Sequence, residues 1–218
     1  QGPSKMKKID SAREFLSMGI ATIPLRHRGK EPETAMIGGK WEQYKTQLPT
    51  EYDLLRWLGS DWQNYGVVCG WDNLAVIDFD TADAFAVWCE YRDHYLMRIY
   101  ELQQQPYTVQ SARGAHVYIR LFGDYANQKR VGVDVKVHGY VVGPGSVHPT
   151  GKIYTPIAEK FNFPEVYDLD TWLPPELFPR VVPEASTGHL EPLPMVFDNL
   201  SNGTYDPFAQ ATRARDLD

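Results

Sequence analysis

The 218-residue chain has little cysteine and no long apolar run. Its two cysteines, Cys69 and Cys89, lie too far apart in the sequence for a cysteine-rich zinc site, and we expect both thiols to be reduced. No stretch approaches the ~20 apolar residues that cross a bilayer. These absences lead us to expect a cytoplasmic protein that binds no zinc and has no membrane partner.

The charge is unevenly distributed along the chain. The net charge is −6, and residues 161–218 carry ten acidic and three basic side chains. Residues 1–160 carry nineteen basic and eighteen acidic side chains, and within them residues 101–160 hold seven basic and four acidic ones. The acidity therefore lies mainly in the C-terminal part. The rest of the chain permits a nucleic-acid partner, although an ordinary solvated surface explains the same charge.

Three regions differ in composition. Residues 1–5 resemble the remnant of a cleavable tag, with Met6 as the native start. Residues 6–180 have the composition of one folded domain, and residues 181–218 that of an acidic, proline-rich tail or linker.

Hydrophobic periodicity predicts helices and short strands in alternation, which favours an α+β fold. Residues 65–69 and 74–79 are expected to form a hairpin, because a Gly-Trp-Asp-Asn turn separates them. Helices are predicted over 9–20, from 50 onward and over 81–95, with a loop over 26–49. Strands are predicted over 21–25, 65–69, 74–79, 107–111, 116–122, 131–137, 140–143 and 152–157.

The first candidate motif is Val-Ile-Asp-Phe-Asp at residues 76–80. In a strand, residues two apart lie on one face, so Asp78 and Asp80 project together while Ile77 and Phe79 pack into the core. Neighbouring carboxylates repel each other unless one is protonated or a cation lies between them. Oxygen ligands of this kind suit Mg²⁺ or Mn²⁺, although a solvated strand face explains a lone Asp-x-Asp equally well.

Two further motifs place a histidine and a third acid on strands. Residues 111–118 combine a small-residue turn with a strand that begins at His116; there Gly114 allows close approach to an anion, and Ser111 and Arg113 are candidate phosphate contacts. In Val133-Asp134-Val135-Lys136-Val137 the acid and the lysine share one strand face. They form either a surface ion pair or a metal ligand beside a phosphate-binding cation.

Residues 139–151 superficially resemble a phosphate-binding loop. The Walker pattern fails, because five residues separate Gly145 from Gly151 and Ile153 follows Lys152. The segment is therefore not expected to belong to a P-loop NTPase. Ser146 and His148 remain candidates for contact with a triphosphate.

In this order, the motifs resemble the primase-polymerase domain of the archaeo-eukaryotic primase superfamily, found in phage and plasmid replication proteins. Asp78 and Asp80 match its Asp-x-Asp motif, residues 114–116 its small-x-His motif, and Val133-Asp134 its hydrophobic-Asp motif. Residues 139–151 match its Gly-Tyr-Val and Pro-x-Ser-x-His-Pro-x-Gly segment. Upstream, Gly-Lys-Glu-Pro at 29–32 and Trp41 resemble the family's N-terminal residues, so the resemblance covers about residues 9–175.

The resemblance implies a fold and an activity. The fold would be a primase-like catalytic core with a mixed or antiparallel sheet flanked by helices, an N-terminal α/β portion and an extended C-terminal strap. The activity would be template-directed nucleotidyl transfer with two Mg²⁺ or Mn²⁺ ions on Asp78, Asp80 and Asp134. His116 would contact the nucleotide. Many relatives have arginine where this chain has Lys136, and the two side chains bind phosphate differently.

The implied partners are a single-stranded DNA template and primer, NTP or dNTP substrates, and a helicase domain in the same or another chain. The candidate nucleotide contacts are Ser111, Arg113, Gly114, His116, Lys136, Ser146 and His148.

Other functions fit parts of the pattern. A metal-dependent nuclease could use Asp78, Asp134 and Lys136, but it leaves His116 and residues 139–151 unexplained. A phosphatase with Asp78 as nucleophile requires threonine at position 82, which is alanine. A sugar transferase would explain only Asp-x-Asp, and a DNA-binding module with a decayed site would not be expected to retain all three acids.

Overall fold

The computed structural model describes residues 6–99, 105–157 and 160–182. Short 3₁₀ turns at Trp41–Lys45 and Trp71–Asn73 and a π-helical turn at Arg92–Leu96 accompany the helices. The helices are α1 Lys8–Ser17, α2 Thr34–Ile37, α3 Glu51–Leu58, α4 Ala82–Tyr91, α5 Met97–Ile99 and α6 Leu169–Trp172.

The strands form two sheets. They are β1 Thr22–Leu25, β2 Asn64–Val68, β3 Leu74–Phe79, β4 Thr108–Gln110, β5 Ala115–Leu121, β6 Gln128–Arg130, β7 Val133–Lys136, β8 Tyr140–Val142, β9 Thr155–Pro156 and β10 Glu165–Val166. The smaller sheet has the order β1-β2-β8. The larger has the order β6-β7-β3-β5-β4-β9, with β10 also paired to β5. All pairs are antiparallel except β10–β5, so the predicted α+β fold with a mixed sheet is confirmed.

The N-terminal α/β portion packs α1 and α3 near the smaller sheet. Helix α3 begins at a capping box, in which the Thr50 hydroxyl accepts from Asp53 N and the Asp53 carboxylate accepts from Thr50 N. Three of its residues, at helical spacing, are buried: Leu54, Trp57 and Leu58. They join a core that extends to Val76 and Tyr118 of the larger sheet, which ties the two sheets together.

The opposite face of the larger sheet has a core of its own. Ala75, Ile77 and Phe79 pack there with α4 and the C-terminal segment. That segment, residues 160–182, adds β10 and α6 and buries Trp172 and Phe178. The predicted C-terminal strap is therefore confirmed as a layer over the sheet.

The predicted hairpin of 65–69 and 74–79 is wrong. Strand β2 pairs with β1 and β8, whereas β3 pairs with β5 and β7. Asp72 and Asn73 between them both have left-handed backbone (φ 49° and 58°), and the chain passes from one sheet into the other.

Several predicted boundaries differ from the observed ones. Within 26–49 the structure has α2 and a 3₁₀ turn, and only Thr155–Pro156 of 152–157 forms a strand. Residues 1–5 and nearly all of 181–218 lie outside the described residues, so the tag remnant and the tail stay predictions.

Candidate active site

The central strand of the larger sheet positions Asp78 between two other candidate residues. In the sheet register Asp78 pairs with His116 of β5 on one side and with Asp134 of β7 on the other. Directly paired residues in an antiparallel sheet project from the same face. His116 Nε2 lies 3.4 Å from Asp78 Oδ1. Three residues from distant parts of the sequence therefore meet on one face of the sheet.

Asp80 extends this row at the end of β3. Its backbone N donates to Gly132 O at 3.0 Å, next to β7, and its side chain is exposed. Burial raises its pKa, and the neighbouring carboxylates of Asp134 and Asp78 raise it further. Asp80 therefore lies within electrostatic reach of the other two acids, as its spacing from Asp78 predicts.

Opposing influences determine the pKa of Asp78. Burial raises this pKa to about 6, and the charge of Asp134 raises it too, whereas Lys136, Lys30 and Arg113 lower it. The side chain is 26% exposed, so it lies between the core and solvent. The three cations offset only part of the cost of holding Asp78 charged beside Asp134.

The donor set fits a hard divalent cation, although the carboxylates do not form a closed ligand cage. Among residues 6–99, 105–157 and 160–182, no group of three or more His, Cys, Asp or Glu side chains has the placement of a metal site. Asp134 Oδ1 is nevertheless buried with no hydrogen-bond partner. A buried acceptor without a donor is costly, and a cation would satisfy it. Carboxylate oxygens are the ligands that Mg²⁺ and Mn²⁺ prefer.

His116 is a buried, neutral imidazole at the base of the site. It is 5% exposed, and burial together with the charges of Lys136 and Lys30 lowers its pKa to about 3. Its Nδ1 is buried without a partner, and the Tyr154 ring lies 5.7 Å from its ring. A neutral imidazole has one N–H to donate and one nitrogen that accepts.

A cleft of about 390 Å³ opens over this face of the sheet. Asp78 and His116 line it together with two lysines, Lys30 from the loop after β1 and Lys136 from β7. Tyr154 and strand β8, from Tyr140 to Val142, form its apolar wall. A cavity with acids at its base and cations at its sides suits an anionic ligand that binds together with a metal.

Hydrogen bonding and close packing explain why the turn before β5 has small residues. Ser111 Oγ accepts from Gly114 N at 3.0 Å and closes the turn. A Cβ at Gly114 would lie 1.9 Å from the carbonyl oxygen of Phe79, so only glycine fits beside β3. Arg113 is exposed and lies near enough to Asp78 and Asp80 to lower their pKa values. Of these three residues, Arg113 has the side chain available to a ligand.

The two candidates from residues 139–151 lie in different environments. Ser146 is fully buried, where its Oγ accepts from Tyr65 N at 3.2 Å and donates to Tyr65 O at 3.4 Å. Ser146 therefore connects the loop after β8 to β2 and does not line the cleft. His148 lies at the surface, hydrogen-bonded to Thr150. Its pKa is lowered by slight burial and then by Lys30, Arg113 and Lys152, so it borders the cationic rim of the site.

A family model decides the identity of the chain. Residues 12–179, well over half of the chain, match the model of the bifunctional DNA primase/polymerase, N-terminal domain. The chain belongs to this family. Membership in the primase/polymerase family implies a nucleotidyltransferase in DNA replication, with DNA and nucleotides as substrates. No curated protein sequence matches the chain. None of the helices in the described parts of the chain is long and apolar enough to span a membrane.

Sequence reasoning did not assign a role to every residue that lines this cleft. Lys30 lies in a Gly-Lys-Glu-Pro segment that resembles the family, yet only the structure shows it lining the cleft. Tyr154 belongs to none of the motifs, and Tyr140 is the tyrosine of the Gly-Tyr-Val run; the sequence did not indicate that either ring lines the cleft. The Gly-Lys-x-Pro pattern was the one usable signal for Lys30.

Proposed function

We propose that this domain performs template-directed nucleotidyl transfer, both DNA priming and DNA polymerisation, with two divalent ions held by Asp78, Asp80 and Asp134. The observation that carries the proposal is the register of β3, which sets Asp78 between His116 and Asp134 at the base of a cleft lined by lysines. When bound, the ions would activate the attacking 3′-hydroxyl and neutralise charge on the triphosphate.

The protein's own residues would hold and orient the nucleotide. Lys30 and Lys136 line the cleft and face the acids, so they are placed to neutralise phosphate oxygens that the metal ions leave uncovered. His116, neutral and almost fully buried, would donate one hydrogen bond without adding charge. Arg113 would act at the rim.

Lys136 would act differently from the arginine that many relatives have. A lysine ammonium is a compact point charge with rotatable donors, whereas a guanidinium binds two phosphate oxygens in a fixed plane. Lys136 pairs in register with Val76, one step along the strand face from Asp78, so its charge also stabilises that carboxylate. We infer a charge contact with phosphate rather than a bidentate one.

The test is incorporation of labelled nucleotides on a single-stranded DNA template, with and without primer. Reactions with NTPs and with dNTPs, each with Mg²⁺ or Mn²⁺, reveal the sugar preference and separate priming from extension. We expect metal-dependent products that Asp134→Asn abolishes. Products without added metal, or an undiminished rate for Asp134→Asn, would refute the assignment. Shortening of the labelled DNA without nucleotides would instead support the nuclease that Asp78, Asp134 and Lys136 could form.

The biological setting is also a proposal. The family's replication role and the resemblance to phage and plasmid proteins suggest that a helicase acts with this domain, in the same chain or as a partner. An unwound single strand is the template that a helicase supplies. Co-purification with a helicase and stimulation of priming by it would test this setting.

A further inference from the structure

One of the six tryptophans differs from the rest in its exposure. Trp62, which precedes β2, is 59% exposed. The other five are buried in the two cores or packed against one of them: Trp41, Trp57, Trp71, Trp88 and Trp172. A large aromatic side chain on the surface is costly to leave in water and is frequent at binding sites.

Trp62 is held in place by His27. Their rings are parallel within 6°, with centroids 3.6 Å apart, and His27 Nδ1 lies 2.8 Å from Trp62 O. The residues next to them, Arg28 and Asp61, both have left-handed backbone (φ 52° and 56°). Because His27 covers one face of the indole, the exposed area belongs to the other face and the edges. The ring is thus fixed before any ligand arrives, which reduces the entropy cost of stacking.

The turn that carries His27 is cationic. It contains Arg26, Arg28 and Lys30 against one acid, Glu31, and none of the three cations forms an ion pair with a carboxylate in the described parts of the chain. The nearest acid in sequence to Trp62 is Asp61, whose carboxylate accepts from Lys8 N and lies 3.9 Å from Lys8 Nζ. The surface beside the exposed ring therefore suits a polyanion.

Hydrogen bonds of one asparagine side chain connect this surface to the cleft. The Asn64 side chain donates to Gly29 O and Val147 O and accepts from Val147 N, at 2.8–3.0 Å. It thereby joins the loop that carries Lys30 to the loop that carries His148. Arg28 also donates to Pro149 O at 3.4 Å. The exposed ring is thus connected, through the cationic turn, to Lys30 in the cleft and to the loop that carries His148.

We propose that Trp62, stacked on His27, is a base-stacking platform for the single-stranded DNA template as it approaches the cleft. The inference rests on the proposed polymerase function and adds the surface that holds the template. Stacking on an aromatic ring tolerates every base, and nearby cations hold the phosphates, which suits a template of any sequence. One exposed, immobilised ring beside Arg26 and Arg28, which have no ion-pair partner among the described residues, has the chemistry that single strands bind.

The test measures the affinity of labelled oligodeoxythymidine by fluorescence anisotropy, without nucleotide. Trp62→Ala is expected to weaken binding about 5- to 100-fold, and Trp62→Phe, which keeps a ring, to restore part of it. The control is Tyr167→Ala: Tyr167 is 68% exposed and stacks on Phe122, but the nearby Arg120 is ion-paired with Asp72 and Glu165. Tyr167→Ala should bind like the parent.

A second readout separates base stacking from a general change of the surface. The parent and Trp62→Ala are compared on oligonucleotides with bases and on abasic ones of the same length. Stacking predicts that the parent loses its advantage over Trp62→Ala on abasic DNA, since the ring then has no base to contact. The proposal would be overturned if the parent bound normal and abasic oligonucleotides more tightly than Trp62→Ala by the same factor. It would also be overturned if Trp62→Ala bound normal DNA as tightly as the parent.

Failure of this proposal differs from failure of the proposed function. If the parent extends primers and Trp62→Ala has the same KM for template, the platform is wrong and the catalytic assignment stands. If Trp62→Ala raises the template KM with kcat unchanged at saturating template, the platform is supported. A parent that binds DNA through Trp62 yet incorporates nothing under any metal condition would contradict the polymerase and leave the platform intact.

Discussion

The two faces of strand β3 have opposite roles although their residues alternate along six positions. Ala75, Ile77 and Phe79 pack into a core under α4 and the strap. On the other face, Val76 joins the core that the larger sheet shares with the smaller one. Asp78, two residues further on, lies at the base of the cleft. One face therefore stabilises the fold, whereas the other holds carboxylates that are costly to keep charged. Stability and activity should consequently respond to different substitutions at adjacent residues.

The largest effect is expected from Asp78→Asn. It keeps the size of the side chain but removes a carboxylate from the proposed cation site, so nucleotide incorporation should fall by on the order of 10³-fold. The free energy of unfolding in metal-free buffer should be unchanged or higher, because charge repulsion with Asp134 disappears. Primer extension and urea unfolding measure the two quantities. Asp124→Asn, at an exposed turn, is the matched control and should retain activity.

Phe79→Ala should show the reverse behaviour. Phe79 is fully buried and contacts Phe85, Trp88 and Phe178, so its loss should lower the free energy of unfolding by about 3–5 kcal/mol. Activity per folded molecule should stay closer to the parental value than in Asp78→Asn. Tyr52→Ala, at a side chain that is 71% exposed, provides the comparison for unfolding. If Phe79→Ala proved as stable as the parent, the assignment of that face to the core would be refuted.

His116→Ala tests a residue that belongs to the cleft face but is buried like a core residue. We expect nucleotide affinity to fall about tenfold, the loss of roughly one hydrogen bond to a charged group. Calorimetry with nucleotide and Mg²⁺ measures it. His116→Gln, which retains a donor, should recover part of the affinity. Unchanged nucleotide affinity in His116→Ala would leave the histidine with a structural role beside Asp78.

The smallest effect concerns the strap that covers the core face. Burial would raise the pKa of Asp170, but hydrogen bonds from Arg130 and Arg180 lower it below its ordinary value. A lowered carboxyl pKa stabilises the fold at pH values above the unfolded pKa, near 4, and this contribution is lost as the pH falls through the folded pKa.

Asp170→Asn should therefore destabilise the protein by about 1 kcal/mol at pH 7, after allowance for solvent screening, and by much less at pH 3. Urea unfolding at both pH values measures the difference. Asp168 has no arginine contact among the described residues, but it caps α6, so its replacement would also remove a helix cap. The control is therefore Asp124→Asn, at an exposed position. A loss of stability that is equal at both pH values would contradict the electrostatic explanation.

Local sequence rules predicted the alternation on β3 but not the partners of the strand. The spacing of Asp78 and Asp80 places them on one face, as observed. The pairing of Asp78 with His116 and Asp134 depends on β5 and β7, which lie far along the chain. The hairpin prediction failed for the same reason, because the chain between β2 and β3 resembles a tight turn but leads into another sheet. Periodicity left Asp134 open between a surface ion pair and a metal ligand, and only the resemblance to a family grouped it with Asp78 and Asp80.

Burial explains the remaining differences within the site. Ser146 and His148 lie in one turn-rich segment, and nothing in the sequence distinguishes the buried hydroxyl from the surface imidazole. Trp62 likewise resembles the other tryptophans in the sequence, and only the packing of both cores singles it out. Exposure of a particular aromatic residue is a property of the tertiary structure.

The central claim is that the strand register creates a divalent-cation site on one face of β3. The most direct test is a crystal structure with Mn²⁺ and a non-hydrolysable nucleotide, analysed by anomalous scattering. We predict Mn²⁺ peaks within about 2.0–2.6 Å of carboxylate oxygens of Asp78 and Asp134, with Asp80 beside them and the triphosphate toward Lys30 and Lys136. Nucleotide bound in the cleft with Mn²⁺ away from these carboxylates would contradict the account.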